Sequence, residues 1–572
     1  MYSNNPLILQ LLSLLKAFSI NKIVISPGGR HVQLVLSLEK DDDFKLYSVV
    51  DERSAAFFAL GLIQAYNEPV AVACTSGTAC MNYGSAIAEA YYQRLPLLVL
   101  SADRLPALLN QGEEQMYNQL DPFRSITKYQ VQLPEIQSDL DLWLCNRLIN
   151  EALLELTNHG RGPVQINFPI KDIFGSGFDT ETLPKVRKIN FHNASSDFTD
   201  YAYKLYGKKI LIIWGQSIEK LEAVGKAVVK FSRLHDCVVL TDCISNCPVE
   251  NAIKNTFVTL QTLSISQQEK IAPDIIISIG GNQVFNTEIK ELFKKHDFEH
   301  WIVGPQNKIS DPFHKLTEIF EMDEQFFFVS MTSNFKNHEN VSKRYLELWR
   351  ELSAIPEPNL NEFNEVYAIG KLINTLPPKS HLQLSNSNTI RIASYFNIPS
   401  DIVVHCNRGV NGIDGSMSTA IGYASVQSNL TFYITGDLSF FYDMNSLWIK
   451  HITPNIRILL INNDGGSFMY SQRRIINGNP SLTLATNNHI TAKGWAESTG
   501  FEYMHASCSK EYDDQIPQFI SANHDKPVIL EIDTSMADDR MAADAYIRSL
   551  DRRSTLEKVQ GRISRSKLNI FK

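Results

Sequence analysis

Short runs of apolar and β-branched residues recur along this chain, separated by longer stretches with helical spacing. In residues 1–180 the runs are KIVIS (22–26), FKLYSVV (44–50), PVAVAC (69–74), PLLVLS (96–101) and PVQINF (163–168). Ahead of them, Ile8, Leu11, Leu12 and Leu15 repeat at the interval of one helix face, which predicts an amphipathic first helix. Strands divided by helices rather than by hairpin turns predict a doubly wound, mainly parallel sheet. A polar stretch, 181–205, reads as a linker. A second α/β pattern follows through KKILIIWGQ (208–216), CVVLTDC (237–243), DIIISIGG (274–281) and HWIVGPQ (300–306), closing near residue 335. The Ser- and Asn-rich stretch Thr332 to Ser342 reads as a second linker. A third pattern holds HLQLS (381–385), DIVVHC (401–406), LTFYIT (430–435), IRILLIN (456–462) and PVILEID (527–533). The expectation is three doubly wound α/β domains, 1–180, 181–335 with its linkers, and 343–572.

Within the third pattern, 431–468 reads strand, turn, helix, strand, turn. The first strand ends at Gly436-Asp437, a helix is predicted over Leu438 to Asn455, and the second strand delivers Asn462-Asn463-Asp464-Gly465-Gly466. Open α/β sheets bind ligands at the carboxyl ends of their strands. Asp437 and Asn463 would converge there as hard oxygen ligands, the kind Mg²⁺ takes together with substrate phosphates. Neighbouring glycines let a backbone approach a diphosphate closely. Two ordinary surface turns would use the same residue types.

Composition narrows the class. The chain has 572 residues, 44% hydrophobic and 20% charged, with a formal charge of -8. That balance, with no dense Lys/Arg cluster, argues against nucleic acid as partner; the basic tail Arg552 to Lys572 reads as a solvated terminus. Eight scattered cysteines lack zinc-ribbon spacing and read as reduced thiols of a cytoplasmic protein. Neither a signal peptide nor a membrane span is predicted. The central turn Trp214-Gly215-Gln216-Ser217 lacks the spacing of a dinucleotide fingerprint.

Four turns of the first domain carry polar residues: Ser26-Pro27-Gly28-Gly29-Arg30, Asp51-Glu52-Arg53, Thr75-Ser76-Gly77-Thr78 and Ser101-Ala102-Asp103-Arg104. Together they set two arginines and a glutamate on one rim of one sheet. Taken alone, Glu52 fits equally well as a helix-capping acid.

The blocks ISPGGR, DERSAAFFALGL, TSGTA, SADR, NRGVNGIDGSMSTAIG, GDLSFFYDMNSL and NNDGG resemble those of the 2-succinyl-5-enolpyruvyl-6-hydroxy-3-cyclohexene-1-carboxylate (SEPHCHC) synthases, thiamin-diphosphate enzymes of menaquinone biosynthesis. The resemblance spans nearly the whole chain. It implies a pyrimidine-binding, a central and a diphosphate-binding domain, with thiamin diphosphate between subunits of a homodimer or homotetramer. Glu52 would hydrogen-bond the aminopyrimidine, and Ile413 would bend the cofactor. Asp437, Asn463 and the Gly465 carbonyl would hold Mg²⁺ against the diphosphate, with Gly436, Leu438, Ser439 and Phe468 lining the cofactor. Ser387, Arg391 and Arg408 match positions that bind the 2-oxo acid donor, 2-oxoglutarate, and an arginine fork suits its carboxylates. Arg30, Arg104 and Gln115 match contacts to the acceptor, isochorismate.

This chain departs from that pattern at Gly29, where the family has Ser, and at Glu114, where it has Asn. Glu288 lies where a basic pair is expected, and Met469, beside Phe468, where an aromatic is expected. Gained carboxylates disfavour a dianion, which keeps a second reading open: the same chemistry on a different acceptor. A non-catalytic scaffold on the same fold is a third.

Overall fold

The computed structural model describes residues 1–173, 177–305, 309–333, 342–467, 490–554 and 557. Three six-stranded sheets organise it. The first contains β1 (Lys22–Ile25), β2 (Lys45–Ser48), β3 (Val70–Cys74), β4 (Leu97–Asp103), β5 (Tyr129–Gln132) and β6 (Val164–Pro169). Its order is β2-β1-β3-β4-β6-β5, parallel throughout. The second contains β7 (Asn190–Asn193), β8 (Lys209–Trp214), β9 (Asp236–Leu240), β10 (Ile275–Ile279), β11 (Glu299–Val303) and β12 (Leu316–Glu321), in the order β7-β12-β11-β10-β8-β9. Within it β11-β10-β8-β9 run parallel. The third contains β13 (His381–Leu384), β14 (Val403–Cys406), β15 (Thr431–Gly436), β16 (Ile456–Asn462), β17 (Glu502–Ala506) and β18 (Val528–Asp533). Its order, β14-β13-β15-β16-β18-β17, repeats that of the first sheet and is again parallel throughout.

The strands of the first sheet read as unbroken apolar runs because both faces are covered. Successive side chains point to opposite faces. Ile23 and Ile25 join one core with Leu98, Leu100 and the first helix, while Val24 joins another with Leu97, Val99 and Ala55. The first helix, Pro6–Ala17, starts where expected: Asn5 caps it by accepting from the Leu7 N–H, and proline takes the first turn.

By contact the chain divides into two compact units, Met1–His192 with Gln306–Ile319, and Asn193–Pro305 with Phe320–Lys572. All eight cysteines are free, and no described helix is long and apolar enough to cross a membrane.

Two local expectations are corrected. The stretch 181–205 is not a bare linker, since it contains β7 and the helix Thr199–Lys204. The helix expected over Leu438–Asn455 stops at Tyr442 and resumes as a 3-10 turn, Met444–Trp448. Asp443 leaves helical geometry at φ -119° and accepts from the backbone N–H (2.7 Å) and hydroxyl (2.8 Å) of Ser418 on the helix Ser416–Ala424. Asp443 thereby satisfies a first-turn N–H of that helix, which holds the chain at the break.

Candidate active site

In the first sheet the strand order reverses between β1 and β3, and the turns after these strands meet there. A side chain at Gly28 would lie 2.5 Å from the Thr75 Cβ, so only glycine permits this approach. The Arg30 backbone N–H donates to Thr75 Oγ1 (2.9 Å), and its Nη1 donates to the Ile170 carbonyl (3.1 Å). Arg30 is buried, and its Nε has no hydrogen-bond partner among the described residues. Burial first, then the neighbouring Arg104 charge, pushes its guanidinium down from the ordinary value. A buried cation with an unspent donor is costly unless an anion joins it.

Arg104 is engaged differently. Its Nε donates to the Glu114 carbonyl (2.8 Å) and its Nη1 pairs with Glu113 Oε2 (2.9 Å). Glu114, one of the departures, thus meets Arg104 through its backbone. Gln115 is exposed at φ +51° and packs on Gly77, where an added Cβ would come within 3.0 Å of its Cα. The Gly77 N–H donates to buried Gln119 (2.7 Å). At Gly29 nothing lies within 4 Å of a would-be Cβ, so the serine typical of the resembled family would fit.

Glu52 is the first residue of the helix Glu52–Tyr66, and it does not cap it. Asp51 does, accepting from the Ser54 N–H at 2.7 Å. Glu52 is left half-buried near the end of β3, where it adds, after burial and Cys80, to the upward push on the Cys74 thiol.

In the second unit the reversal falls between β13 and β15, and the turns after them line one cleft with Ile413, Ser439, Asn463 and Gly465. The register Gly436↔Ile461 brings the ends of β15 and β16 level. Asp437, 2% exposed, accepts from the Leu438 N–H and, through Oδ2, from the Gly465 N–H, both at 2.7 Å. Asn462 and Asn463 part company. Asn462 ties Glu531 and the Ile490 carbonyl into the sheet, while Asn463 turns to the cleft and gives its Nδ2 to Asp539 Oδ2 (2.7 Å). Asn463 Oδ1 is then the atom of its amide left to ligate a cation. Ser439 donates to the Ile413 carbonyl (2.5 Å), fixing the loop that carries Ile413. Gly436 has no atom within 4 Å of a would-be Cβ. One carboxylate, one carboxamide and the Gly465 loop fit a hard divalent cation with a phosphate. Phe468 and Met469 lie outside the described residues.

Sequence reasoning missed the acids behind this cleft. Glu365 is buried; burial first, then the Asp539 charge, pushes its carboxyl well above the usual range. Asn388 donates to its Oε1 (2.9 Å), and Asp539 accepts from its backbone N–H (2.7 Å). Burial lifts Asp539 to about 6. These groups come from segments far apart in sequence, with no spacing to announce them.

Of the three residues matched to the donor, Ser387 lines the same cleft, while Arg391 and Arg408 adjoin it through Ser387 and Asn386. Ser387, at φ +74°, starts the helix Asn388–Ala393 and accepts from Arg391 Nη1 through its carbonyl (2.8 Å). Such backbone strain in a non-glycine residue clusters at functional sites. Arg408 is buried, donates through Nη1 to Asn386 Oδ1 (3.2 Å), and has a buried Nε with no partner among the described residues. Burial lowers the Arg391 guanidinium first, with Arg408 adding to it. Glu288 faces both arginines: burial raises its carboxyl, while Arg391 and Arg408 pull it back.

Among the described residues no group of three His, Cys, Asp or Glu side chains is placed to hold a metal, so any cation here depends on the mixed donor set. The model of the N-terminal thiamine pyrophosphate (thiamin diphosphate) binding domain of thiamine pyrophosphate enzymes matches residues 9–122. Along its length the chain is 40% identical to the 2-succinyl-5-enolpyruvyl-6-hydroxy-3-cyclohexene-1-carboxylate synthases of Phocaeicola vulgatus and Bacteroides fragilis over 561 residues, covering 96% of this chain and 99% of each relative. The enzyme of that name from Bacteroides thetaiotaomicron is 38% identical over 558 residues, with the same coverage. Identity of this extent over nearly the whole chain makes it a member of the SEPHCHC synthase family of thiamin-diphosphate-dependent, carboligase-type enzymes.

Proposed function

We propose that this enzyme decarboxylates 2-oxoglutarate with thiamin diphosphate and Mg²⁺ and transfers the remaining four-carbon unit to isochorismate, as a cytoplasmic step of menaquinone synthesis. The observation that carries the donor is Arg408, buried with its Nε unspent among the described residues and bonded to Asn386 of the Asp437–Asn463 cleft, with Arg391 bonded to Ser387 of the same cleft. A carboxylate of the donor would supply the acceptor that the Arg408 Nε lacks among the described residues. When bound, thiamin diphosphate supplies the electron sink for decarboxylation and carbon transfer. Asp437, Asn463 Oδ1 and the Gly465 carbonyl hold the Mg²⁺, and Asp539 keeps the Asn463 amide in the ligating orientation. Glu52 accepts and returns a proton at the aminopyrimidine, free for that task because Asp51 has taken the capping role. Ile413, held by Ser439, shapes the cofactor's seat. On the acceptor side Arg30 offers its unspent Nε to a carboxylate, and Arg104 and Gln115 complete that rim.

We read the cofactor as lying between two copies of the chain, in a dimer or tetramer. Phe57 and Phe58 are exposed on the helix that starts at Glu52, as are Val410, between Arg408 and Ile413 in the chain, and Trp448. A second reading, the same donor with another small-molecule acceptor, draws support from the Glu113 pair that occupies Arg104.

Turnover of 2-oxoglutarate with thiamin diphosphate and Mg²⁺, with and without isochorismate, tests both through CO₂ release and product mass. A succinyl adduct of isochorismate is expected. Decarboxylation without that adduct moves the assignment to the second reading, and no turnover of 2-oxoglutarate overturns the donor. Glu52→Gln should lower turnover at least about 100-fold, the scale of a lost acid–base group; unchanged turnover would remove Glu52 from the chemistry.

A further inference from the structure

The third sheet ends at β14, and an edge strand presents unpaired N–H and C=O groups at alternate residues. Here those groups are taken by side-chain amides from three turns of the second sheet. Asn246, after β9, pairs with Val404 in both directions: its Nδ2 donates to the Val404 carbonyl (2.8 Å) and its Oδ1 accepts from the Val404 N–H (2.9 Å). Gln216, after β8, donates through Nε2 to the Cys406 carbonyl (2.7 Å). Asn282, after β10, donates through Nδ2 to the Arg408 carbonyl (2.8 Å) and the Gly409 carbonyl (3.2 Å). Neighbouring strands β9, β8 and β10 thus serve residues 404, 406 and 408 in turn, every second residue, as a pairing strand would.

The three turns are themselves interlocked. The Gln216 N–H donates to the Asn282 carbonyl and the Gly281 N–H to the Gln216 carbonyl, both at 2.9 Å. Gly215 is so close to Gly281 that no side chain fits between them. The ladder ends on Arg408, whose Nη1 donates to the Oδ1 of Asn386, a residue that lines the cleft.

We propose that Gln216, Asn246 and Asn282 are positioning residues that set the Arg408 segment, and through it the enzyme's affinity for an anionic donor. This rests on the reading of Arg408 as a donor-carboxylate ligand. Asn282 is exposed, so its replacement leaves the core intact. Asn282→Asp keeps its shape and turns a donor into a repelled acceptor; Gln216→Met keeps length and removes the donor without charge.

The experiment pairs steady-state kinetics on the full chain, loaded with thiamin diphosphate and Mg²⁺, with amide hydrogen exchange of residues 407–412 and thermal melting. In both variants exchange in that segment should accelerate about tenfold, and the KM for 2-oxoglutarate should rise about tenfold, the scale of one lost hydrogen bond. Turnover number, thiamin diphosphate affinity and acceptor KM should stay within about twofold on the same reasoning. Unchanged exchange overturns the proposal, and so does a lower melting temperature with an unchanged donor KM, which would make the ladder structural only. Should the unaltered enzyme fail to use 2-oxoglutarate, the donor assignment falls, while the exchange result still decides whether the ladder orders the Arg408 segment.

Discussion

Asp51 and Glu52 are adjacent acids at a helix start, and either could cap. Only the backbone geometry divides them, with Asp51 extended ahead of the helix and Glu52 already inside it. The same holds for Asn462 and Asn463: Asn462 is the last residue of β16 and bonds within the sheet, while Asn463 opens the following turn and lines the cleft. Glu113 gave no signal at all, yet its carboxylate sits on the guanidinium expected to meet the acceptor. Both side chains of that pair are partly exposed, 21% for Arg104 and 34% for Glu113, so the pair is worth little by itself. It does, however, occupy the Arg104 Nη1 that an incoming carboxylate would use. Glu113→Gln is therefore expected to lower the KM for an anionic acceptor about two- to fivefold, with donor KM unchanged. Initial rates across acceptor concentration, at low and high salt, check this. A raised acceptor KM would mean that Glu113 orients Arg104 for binding instead of standing in its place.

At the scale of elements, strands within an apolar or β-branched run were legible even at four residues, as β1 and β2 show. Tyr129–Gln132 and Glu502–Ala506 mix polar with apolar residues and pass for loop. The break at Asp443 was hidden for another reason: its bond to Ser418 comes from a distant segment that no local pattern contains. Turns were the most legible elements, and two glycines in them make opposite predictions. Gly77 needs φ +83° and has no room against Gln115, whereas Gly29 has open space. Gly77→Ala should cost about 1–3 kcal/mol in backbone strain and contact. Its melting temperature should fall by a few degrees, at about 2–4 °C per kcal/mol for a unit of this size. The acceptor KM should rise with it as Gln115 is displaced. Gly29→Ser should change neither quantity. Equal effects from the two substitutions would contradict the packing described for these turns.

For the whole molecule, the two sheets of equal strand order give the chain two candidate ligand-binding edges, one in each unit, each at its own order reversal. Two buried groups, one in each unit, should couple stability to acid with opposite signs. In the first unit His31 is fully buried, and burial pushes its imidazole down to about 4. Between pH 6.5 and 4 the unfolded chain binds a proton there that the folded chain does not, so this histidine removes stability as pH falls. In the second unit Asp242 is buried beneath the Val284 and Ile244 N–H groups, and burial lifts its carboxyl to about 6. Between pH 6 and 3.8 the folded chain binds a proton that the unfolded chain does not, so this aspartate adds stability as pH falls. Each effect amounts to about 3 kcal/mol across its window, at about 1.4 kcal/mol per pH unit. Measured as differences from the unaltered chain in cofactor-free denaturant titrations, His31→Asn should gain that much on going from pH 6.5 to 4. Asp242→Asn should lose as much from pH 6 to 3.8. Because the two windows overlap, the unaltered protein hides both terms from a single pH–stability curve, and only the paired variants reveal them. Parallel slopes in the two variants would mean that one of these groups is not held in the protonation state its burial imposes.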